Sequence, residues 1–210
     1  MKDIRRLIYV PILHAQEDAR RSDALLTRRN RLLKRNVKIE PQPSPVEQMW
    51  KGIATKVAGL NLPWQQTRIY QDGVPVCGNE LELAKRLAES GSPNFSFVLD
   101  LVEKGATLEG TEDLDLLIQE YDLLNNLLMI ESEAERPAAS AQYQKNSRAL
   151  LESRDQFISA RINSTLQVDE VPIVFMGVMH RLDKLLERHF LVSYVIYRLP
   201  FRSVGAIYNA

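Results

Sequence analysis

Histidines are scarce in this chain of 210 residues, and two of the three stand at or just after the ends of apolar segments. His14 follows the segment from Ile4 to Leu13, and His180 follows the segment from Val171 to Val178. A neutral imidazole can ligate a divalent metal or transfer a proton near neutral pH. A single histidine at a strand end is more often a hydrogen-bonded structural residue, but two together favour a shared functional site. We therefore treat His14 and His180 as candidate metal ligands.

Two carboxylates occupy similar places at the ends of other segments. Asp72 follows the short segment Thr67 to Gln71, and Glu109 stands before Gly110 at the end of the next one. Carboxylates in such places can ligate a divalent metal or act as a general acid or base. Asp72 is also half of an ordinary turn pair with the glycine that follows it. We expect Asp72 to be a metal ligand and Glu109 to be the catalytic carboxylate.

The remaining charged candidates lie on predicted helices. Glu112 also lies near the end of the third strand, but we favour a different interpretation of it. Glu112, Asp113 and Asp115 fit the first turn of a helix, where negative charge complements the helix dipole without any catalytic role. Arg154 and Arg161 lie two turns apart on one side of a later helix, and the simplest interpretation is a solvated surface. If Arg154 instead points towards the strand ends, it can bind an anionic group of a substrate or orient a carboxylate.

The elements that must position these residues alternate between strands and helices. Period and composition predict five strands: Ile4 to Leu13, Thr67 to Gln71, Ala106 to Glu109, Val171 to Val178 and Phe190 to Tyr197. Strands separated by helices need crossover connections, so we predict an α/β fold with a mostly parallel sheet and helices on both faces. Ligands bind beyond the carboxyl ends of such strands, which is where the candidates above fall.

Helical patterns fill the intervals between the strands. They predict helices at Ser22 to Val37, from Ser44 to about Leu60, Glu80 to Glu89 and from Pro93 to a cap at Gly105. Two longer ones, broken at Pro137, predict a helical hairpin over residues 112–166. We expect a single α/β domain over residues 1–210 with this hairpin as an elaboration.

Composition narrows the class of protein. The apolar share is 45%, and Lys plus Arg balances Asp plus Glu at 27 each, so no overall field attracts nucleic acid or a membrane. The lone cysteine, Cys77, excludes a disulfide framework and suits a reducing compartment. No apolar stretch is long enough to span a bilayer, and the N-terminal apolar run is too short for a signal peptide. We expect a cytoplasmic protein.

Charge is nevertheless uneven along the chain. Residues 20–38 contain eight Arg or Lys and one acid, whereas residues 100–135 contain eleven acids and one Lys. We favour solvation or mutual contact of these segments over nucleic-acid binding, because no aromatic residues are interleaved with the basic ones. Glycine-rich phosphate loops, dinucleotide fingerprints and nucleophile elbows are absent from the sequence.

The C-terminal third resembles the closing block of the TraB, Tiki and erythromycin-esterase/ChaN-like group of proteins. The resemblance covers about 50 residues, including LLESRDQFISARI, VPIVFMGVMH and ERHFLVSYV, and its matching positions are Arg154, Asp155, Gly177 and His180. The group also has a histidine after its first strand, which His14 matches. The resemblance implies an α/β fold with a site at the strand ends. Members of the group are similar to metal-dependent proteases, antibiotic-hydrolysing esterases, haem-binding proteins or signalling inhibitors.

The sequence departs from that group at two places. Pro11 stands where the group has a glycine before its first histidine, and Gln71 and Asp72 stand where it commonly has a glutamate. Asp72 has a shorter side chain than a glutamate, so it must reach a metal from a different backbone position.

Three functions are compatible with these residues. The first is a hydrolase in which His14 and His180, with Glu109 or Asp72, hold a divalent metal of unknown identity, and Arg154 binds the substrate or fixes a carboxylate. The second is a non-catalytic binding or regulatory protein that holds a small ligand, a haem or a peptide in the same place. The third is an anion or nucleic-acid binder that uses residues 20–38.

Overall fold

A computed structural model describes residues 4–13, 45–130, 132–186 and 190–198 of the chain. Within these ranges the strands are β1 (Arg5–Ile12), β2 (Thr67–Gln71), β3 (Thr107–Glu109), β4 (Val171–Gly177) and β5 (Phe190–Tyr194). The α-helices are α1 (Pro45–Ala58), α2 (Glu80–Glu89), α3 (Pro93–Glu103), α4 (Leu114–Leu128) and α5 (Arg136–Thr165). The predicted helix from Ser22 to Val37 lies outside the described residues.

The five strands form one sheet in the order β3-β2-β4-β1-β5, and every neighbouring pair is parallel. The predicted α/β class with a mostly parallel sheet is therefore confirmed. β4 lies at the centre, where Ile173 pairs with Ile8 of β1 on one side and with Ile69 of β2 on the other. The carboxyl ends of β1, β2 and β4 consequently meet at one edge.

Side chains that alternate along the strands divide the core into two. On the first face of the sheet, Ile173 and Phe175 of β4 pack with residues of α1 and α3. On the second face, Val174 and Met176 of the same strand pack with Ile158 and Ile162 of α5. Because β4 is buried on both faces, its sequence is a continuous apolar run rather than an alternating one. Helices thus cover both faces, as predicted.

The crossovers explain why a site forms at the end of β4. The helices that follow β1 and β2 in the described chain include α1 and α3 on the first face, whereas β4 is followed by Leu182, which packs on the second face. Chains that leave neighbouring strands towards opposite faces open a crevice between them. β4 has such a neighbour on each side, so the crevice lies beyond β2, β4 and β1.

The helical hairpin is present, with bounds slightly inside those predicted. Its first helix begins at Leu114, because the side chain of Asp113 accepts a hydrogen bond from the backbone N–H of Leu116 and caps it. After β4, the chain forms a single 3₁₀ turn, Leu182–Lys184. None of the helices in the described ranges is long and apolar enough to cross a membrane.

Candidate functional site

Asp72 leaves the end of β2 and points across the carboxyl end of β4. Its backbone N–H donates to the carbonyl of Phe175 at 2.9 Å, which continues the strand pairing by one residue. One carboxylate oxygen, Oδ2, accepts from the backbone N–H of Gly177 at 2.8 Å, and the other, Oδ1, accepts from Nη2 of Arg154 at 2.8 Å. The side chain is almost wholly buried. These bonds fix the carboxylate where β2, β4 and α5 meet.

His180 follows β4 and lies between two carboxylates. Its Nδ1 is 2.6 Å from Oδ1 of Asp155, and its Nε2 is 3.3 Å from Oδ2 of Asp72. The second oxygen of Asp155 accepts from the backbone N–H of Arg181 at 2.8 Å. An ionised carboxylate can only accept hydrogen bonds, so Nδ1 of His180 carries a proton. Asp155 therefore sets both the orientation and the tautomer of the ring.

Glu112 completes the buried group from the loop before α4. Arg154 binds it in the bidentate manner, with Nε donating to Oε2 at 3.0 Å and Nη2 donating to Oε1 at 2.5 Å. The Nη1 atom of the same guanidinium donates to Glu120 of α4 at 2.6 Å. Arg154 thus connects three carboxylates from β2, the loop and α4. Such a fork fixes carboxylate planes as well as balancing their charge.

Asp72, Glu112 and His180 could hold a metal ion. One oxygen from each carboxylate and one ring nitrogen all lie within 4.8 Å of one another, and all three residues are buried. The end of β1 is the place from which a fourth ligand would come, because Ile12 and Leu13 there line the adjoining cavity. The next residue along the chain is His14, the other predicted histidine ligand.

The gap between His180 and Asp72 is a place for a cation. With a proton on Nδ1, a neutral ring would direct the lone pair of Nε2 at Oδ2 of Asp72, and two acceptors would face each other at 3.3 Å. Either a second proton or a metal ion removes that repulsion. A carboxylate that binds the far nitrogen of a histidine, as Asp155 does, is a common arrangement behind metal-bound histidines. The residues present therefore fit a divalent ion.

Burial and partners shift the pKa values of the site in opposite directions. Burial alone would lower the pKa of His180, but hydrogen bonds to Asp155 and Asp72 outweigh it and raise that pKa to about 9. Burial raises the pKa of Glu112, while the ion pair with Arg154 lowers it less strongly. The pKa of Arg154 is raised, since its carboxylate partners outweigh the burial that would lower it. The raised pKa favours the imidazolium form of His180 at neutral pH as long as no metal ion is bound.

Two adjoining cavities open onto the buried group. The larger has a volume of about 390 Å³, borders Asp72 and Arg154, and has apolar walls that include Trp50, Phe95 and Leu117. The smaller, of about 300 Å³, borders Arg154, His180 and the loop after β4. Both are lined by Glu120 and Tyr143 of the helical hairpin. A ligand in either cavity would contact the site residues directly.

The structure brings some of the predicted residues together and separates others. Asp72, Arg154 and His180 lie in one cluster, whereas His14 lies outside the described residues. Glu109, expected beside the histidine, instead forms ion pairs with Arg68 and Arg161. The physical reason is the strand order. Glu109 ends β3, which is an edge strand, and β2 lies between β3 and β4. Arg154 fixes carboxylates, which was one of its two expected roles.

The interpretation of Glu112 as a carboxylate of the first helical turn was wrong. Asp113 is the N-cap, so Glu112 precedes the helix and is fully buried against Arg154. A signal was available in the sequence, because Asp is a strong N-cap residue and Glu is not. Asp155 and Glu120 were not assigned roles either. Asp155 could have been found from its position beside Arg154, but no local pattern marks Glu120.

Comparison with known proteins adds no further constraint: no protein-family model, curated protein or solved structure matches the chain. The resemblance to the TraB, Tiki and erythromycin-esterase/ChaN-like group stays a prediction. The four positions that carry it are nevertheless close together, since Gly177 binds Asp72, and His180 binds Asp155 next to Arg154.

Proposed function

We propose that this chain is a metal-dependent hydrolase whose centre is formed by Asp72, Glu112 and His180. The observation that carries the proposal is the grouping of three buried residues, in which Nε2 of His180 lies 3.3 Å from Oδ2 of Asp72 and one ligand atom of each residue lies within 4.8 Å of the others. Six ionisable side chains are concentrated under an open cavity, which is a costly arrangement for a purely structural element. We include His14 as a fourth ligand on the basis of its position after β1.

The protein side of the chemistry follows from the contacts. Asp155 holds the proton on Nδ1 of His180 and leaves Nε2 for the ion. Arg154 holds Asp72 and Glu112 in place and offsets part of their charge. A bound divalent ion would lower the pKa of a water molecule and would polarise a carbonyl or phosphoryl group of the substrate. The apolar wall that contains Trp50 and Phe95 would shield the reacting group from bulk water.

The substrate class belongs to the same proposal. The cavities suit a small molecule or a short peptide segment, and no charge pattern at the described cavity walls favours nucleic acid. Relationship to the TraB, Tiki and erythromycin-esterase/ChaN-like group would be consistent with amide or ester bonds. A cytoplasmic location is proposed on the ground that Cys77 is the single cysteine and is exposed as a free thiol.

The test is the metal content of the purified protein, measured by mass spectrometry after reconstitution with zinc, manganese or iron(II). We expect about one equivalent in the wild type and loss of at least tenfold in affinity in Asp72→Asn and His180→Ala, because each removes one ligand of three or four. Hydrolysis of ester and peptide substrates is then screened only with the metal that binds.

Asp100→Asn serves as the control, because it removes one negative charge from an exposed position on α3 outside the cluster. It should bind metal like the wild type. Circular dichroism establishes that each variant is folded. A folded wild type that takes up no metal above pH 7.5, where protons compete less for His180, would refute the metal centre.

The second candidate is a non-catalytic binding protein. It is favoured by the apolar character of the larger cavity and by Arg154, whose side chain donates its hydrogen bonds in the described structure to the protein's own carboxylates. This candidate predicts tight binding of an apolar ligand or haem, measurable by calorimetry, that persists in Asp72→Asn. The hydrolase predicts that the same substitution abolishes turnover.

A further inference from the structure

Helix α4 is apolar on two sides, although only one side has a described partner. Nine of its fifteen residues are apolar, in the sequence LDLLIQEYDLLNNLL. Leu116 and Leu123 face α5 across a shared cavity of the hairpin. A helix that packs on one neighbour needs a single apolar stripe, and one that is apolar all round is normally buried.

The second apolar side is an exposed stripe, which we call the outer stripe of α4. Its members follow helical spacing and are between about half and two-thirds exposed: Leu114 at 50%, Ile118 at 48%, Tyr121 at 66% and Leu128 at 62%. α4 has no fully buried residue in the described structure. Four large side chains in one row are a contiguous patch rather than scattered surface residues, and such patches mark interaction sites.

The charged residues of α4 and of the chain on either side of it are all negative. Residues 112–135 contain eight acids and no Lys or Arg, and Asp115 and Asp122 lie along one border of the stripe. The complementary segment is in the same chain, because residues 20–38 carry eight basic residues and one acid. That segment has its own apolar repeat, with Leu25 and Leu26 seven residues before Leu32 and Leu33. This spacing predicts an amphipathic helix with basic flanks.

Described residues on either side of that segment in the chain lie close to α4. Leu13, the last described residue before it, lines the larger cavity together with Leu117, Tyr121 and Leu124 of α4. The described chain resumes at Pro45, and Trp50 of α1, five residues further on, lines the same cavity. The predicted helix of 16 residues would be about 24 Å long, and α4 with its 15 residues is about 22 Å long.

From these observations we propose that residues 22–37 dock on the outer stripe of α4 within the same molecule. Leu25, Leu26, Leu32 and Leu33 cover the apolar row, and the basic side chains pair with the acids along its border. Pairing of α4 with α4 of a second copy is disfavoured, because it would bring two acidic helices together without any cation. Tethering at both ends raises the local concentration of the segment above that of a separate partner.

Hydrogen exchange of the α4 amides tests the docking in the full-length protein. We expect these amides to be protected in the wild type and to lose protection about tenfold or more in Leu25→Asp/Leu32→Asp, since two buried leucines are removed from the contact. Amides of β4 should be unchanged. Thr27→Asp/Asn30→Asp adds the same charge to the same segment outside its leucine repeat and should lose clearly less protection.

Carbodiimide cross-linking identifies the occupant. Lys34 or Lys38 should become linked to Asp115 or Asp122, and a mixture of ¹⁴N and ¹⁵N protein should give links within one isotopic species only. Mixed-isotope links, or a dimer that Ile118→Asp dissociates, would assign the stripe to a second copy and overturn the proposal. So would α4 amides that are unprotected in the wild type or equally protected in the leucine variant.

Discussion

Arg154 balances the negative charge of the carboxylates that gather at the ends of the strands. It contacts Asp72, Glu112 and Glu120, and its side chain is only 5% exposed. A buried ion pair contributes little net stability, because desolvation offsets the attraction, but removing one partner leaves the other buried and unpaired. The consequences of substituting Arg154 should therefore be far larger than those of substituting a surface arginine.

We predict that Arg154→Met lowers the free energy of unfolding by about 3 to 5 kcal/mol, because Asp72 and Glu112 lose their cation while buried. Arg154→Lys should lose less, since it keeps the charge and gives up only the bidentate fork. Urea unfolding at pH 7 measures both. Arg161→Met, on the same helix but with a more exposed side chain, is the matched control and should cost about 1 kcal/mol. Equal losses at the two positions would contradict this account of Arg154.

His180 predicts a dependence of stability on pH. Its folded-state pKa of about 9 is above the ordinary value of 6.5, because hydrogen bonds to Asp155 and Asp72 outweigh the effect of burial. The stabilisation is therefore complete below pH 6.5 and is lost as pH rises from 6.5 to 9. Its size is about 3.5 kcal/mol at most, from about 1.4 kcal/mol per pKa unit.

Urea unfolding in the presence of a chelator, at pH 6, 7.5 and 9, measures that dependence. The difference between wild type and His180→Gln isolates the contribution of the histidine from those of the other titrating groups. This difference in the free energy of unfolding should decrease steadily from pH 6 to pH 9. A difference that stays constant would mean that His180 is neutral in the folded protein and that Nε2 carries no proton at pH 6.

At the scale of elements, the strands were predictable because burial leaves a dense apolar pattern. β2 has the predicted bounds, Thr67–Gln71, and β4 ends at Gly177, one residue before the predicted end. The helical hairpin was predictable from its apolar period and from Pro137. Local patterns suffice for such elements, since the pattern and the burial have the same period.

The composition of the site was less predictable, because it depends on strand order. Nothing in the local sequence shows that β4 inserts between β1 and β2, and this insertion puts Asp72 next to His180 and leaves Glu109 at the far edge. Glu112 could be placed only by deciding which of two adjacent acids is the helix cap. Asp155 and Glu120 depend on how α4 and α5 pack, which follows from tertiary contacts alone.

At the scale of the whole molecule, β4 connects two hydrophobic cores that share no helix within the described residues. The first core contains a group of aromatic side chains. The ring centroids of Trp50 and Phe97 each lie 6.0 Å from that of Phe175. The second core contains Tyr70, with Ile158 and Ile162 of α5. Since alternate residues of one strand belong to both cores, damage to either should destabilise both.

This coupling gives a test of the expected single domain. Phe175→Ala should lower the free energy of unfolding by about 3 to 5 kcal/mol, because the aromatic group of the first core loses a fully buried ring. Hydrogen exchange in low urea should show the same decrease for amides of α1, which pack on the first face, and for amides around Ile158 and Ile162 on the second face. A cooperative unit loses protection as a whole. If the α5 amides kept their wild-type protection, the two faces would unfold separately, and the sheet would not unite the chain into one domain.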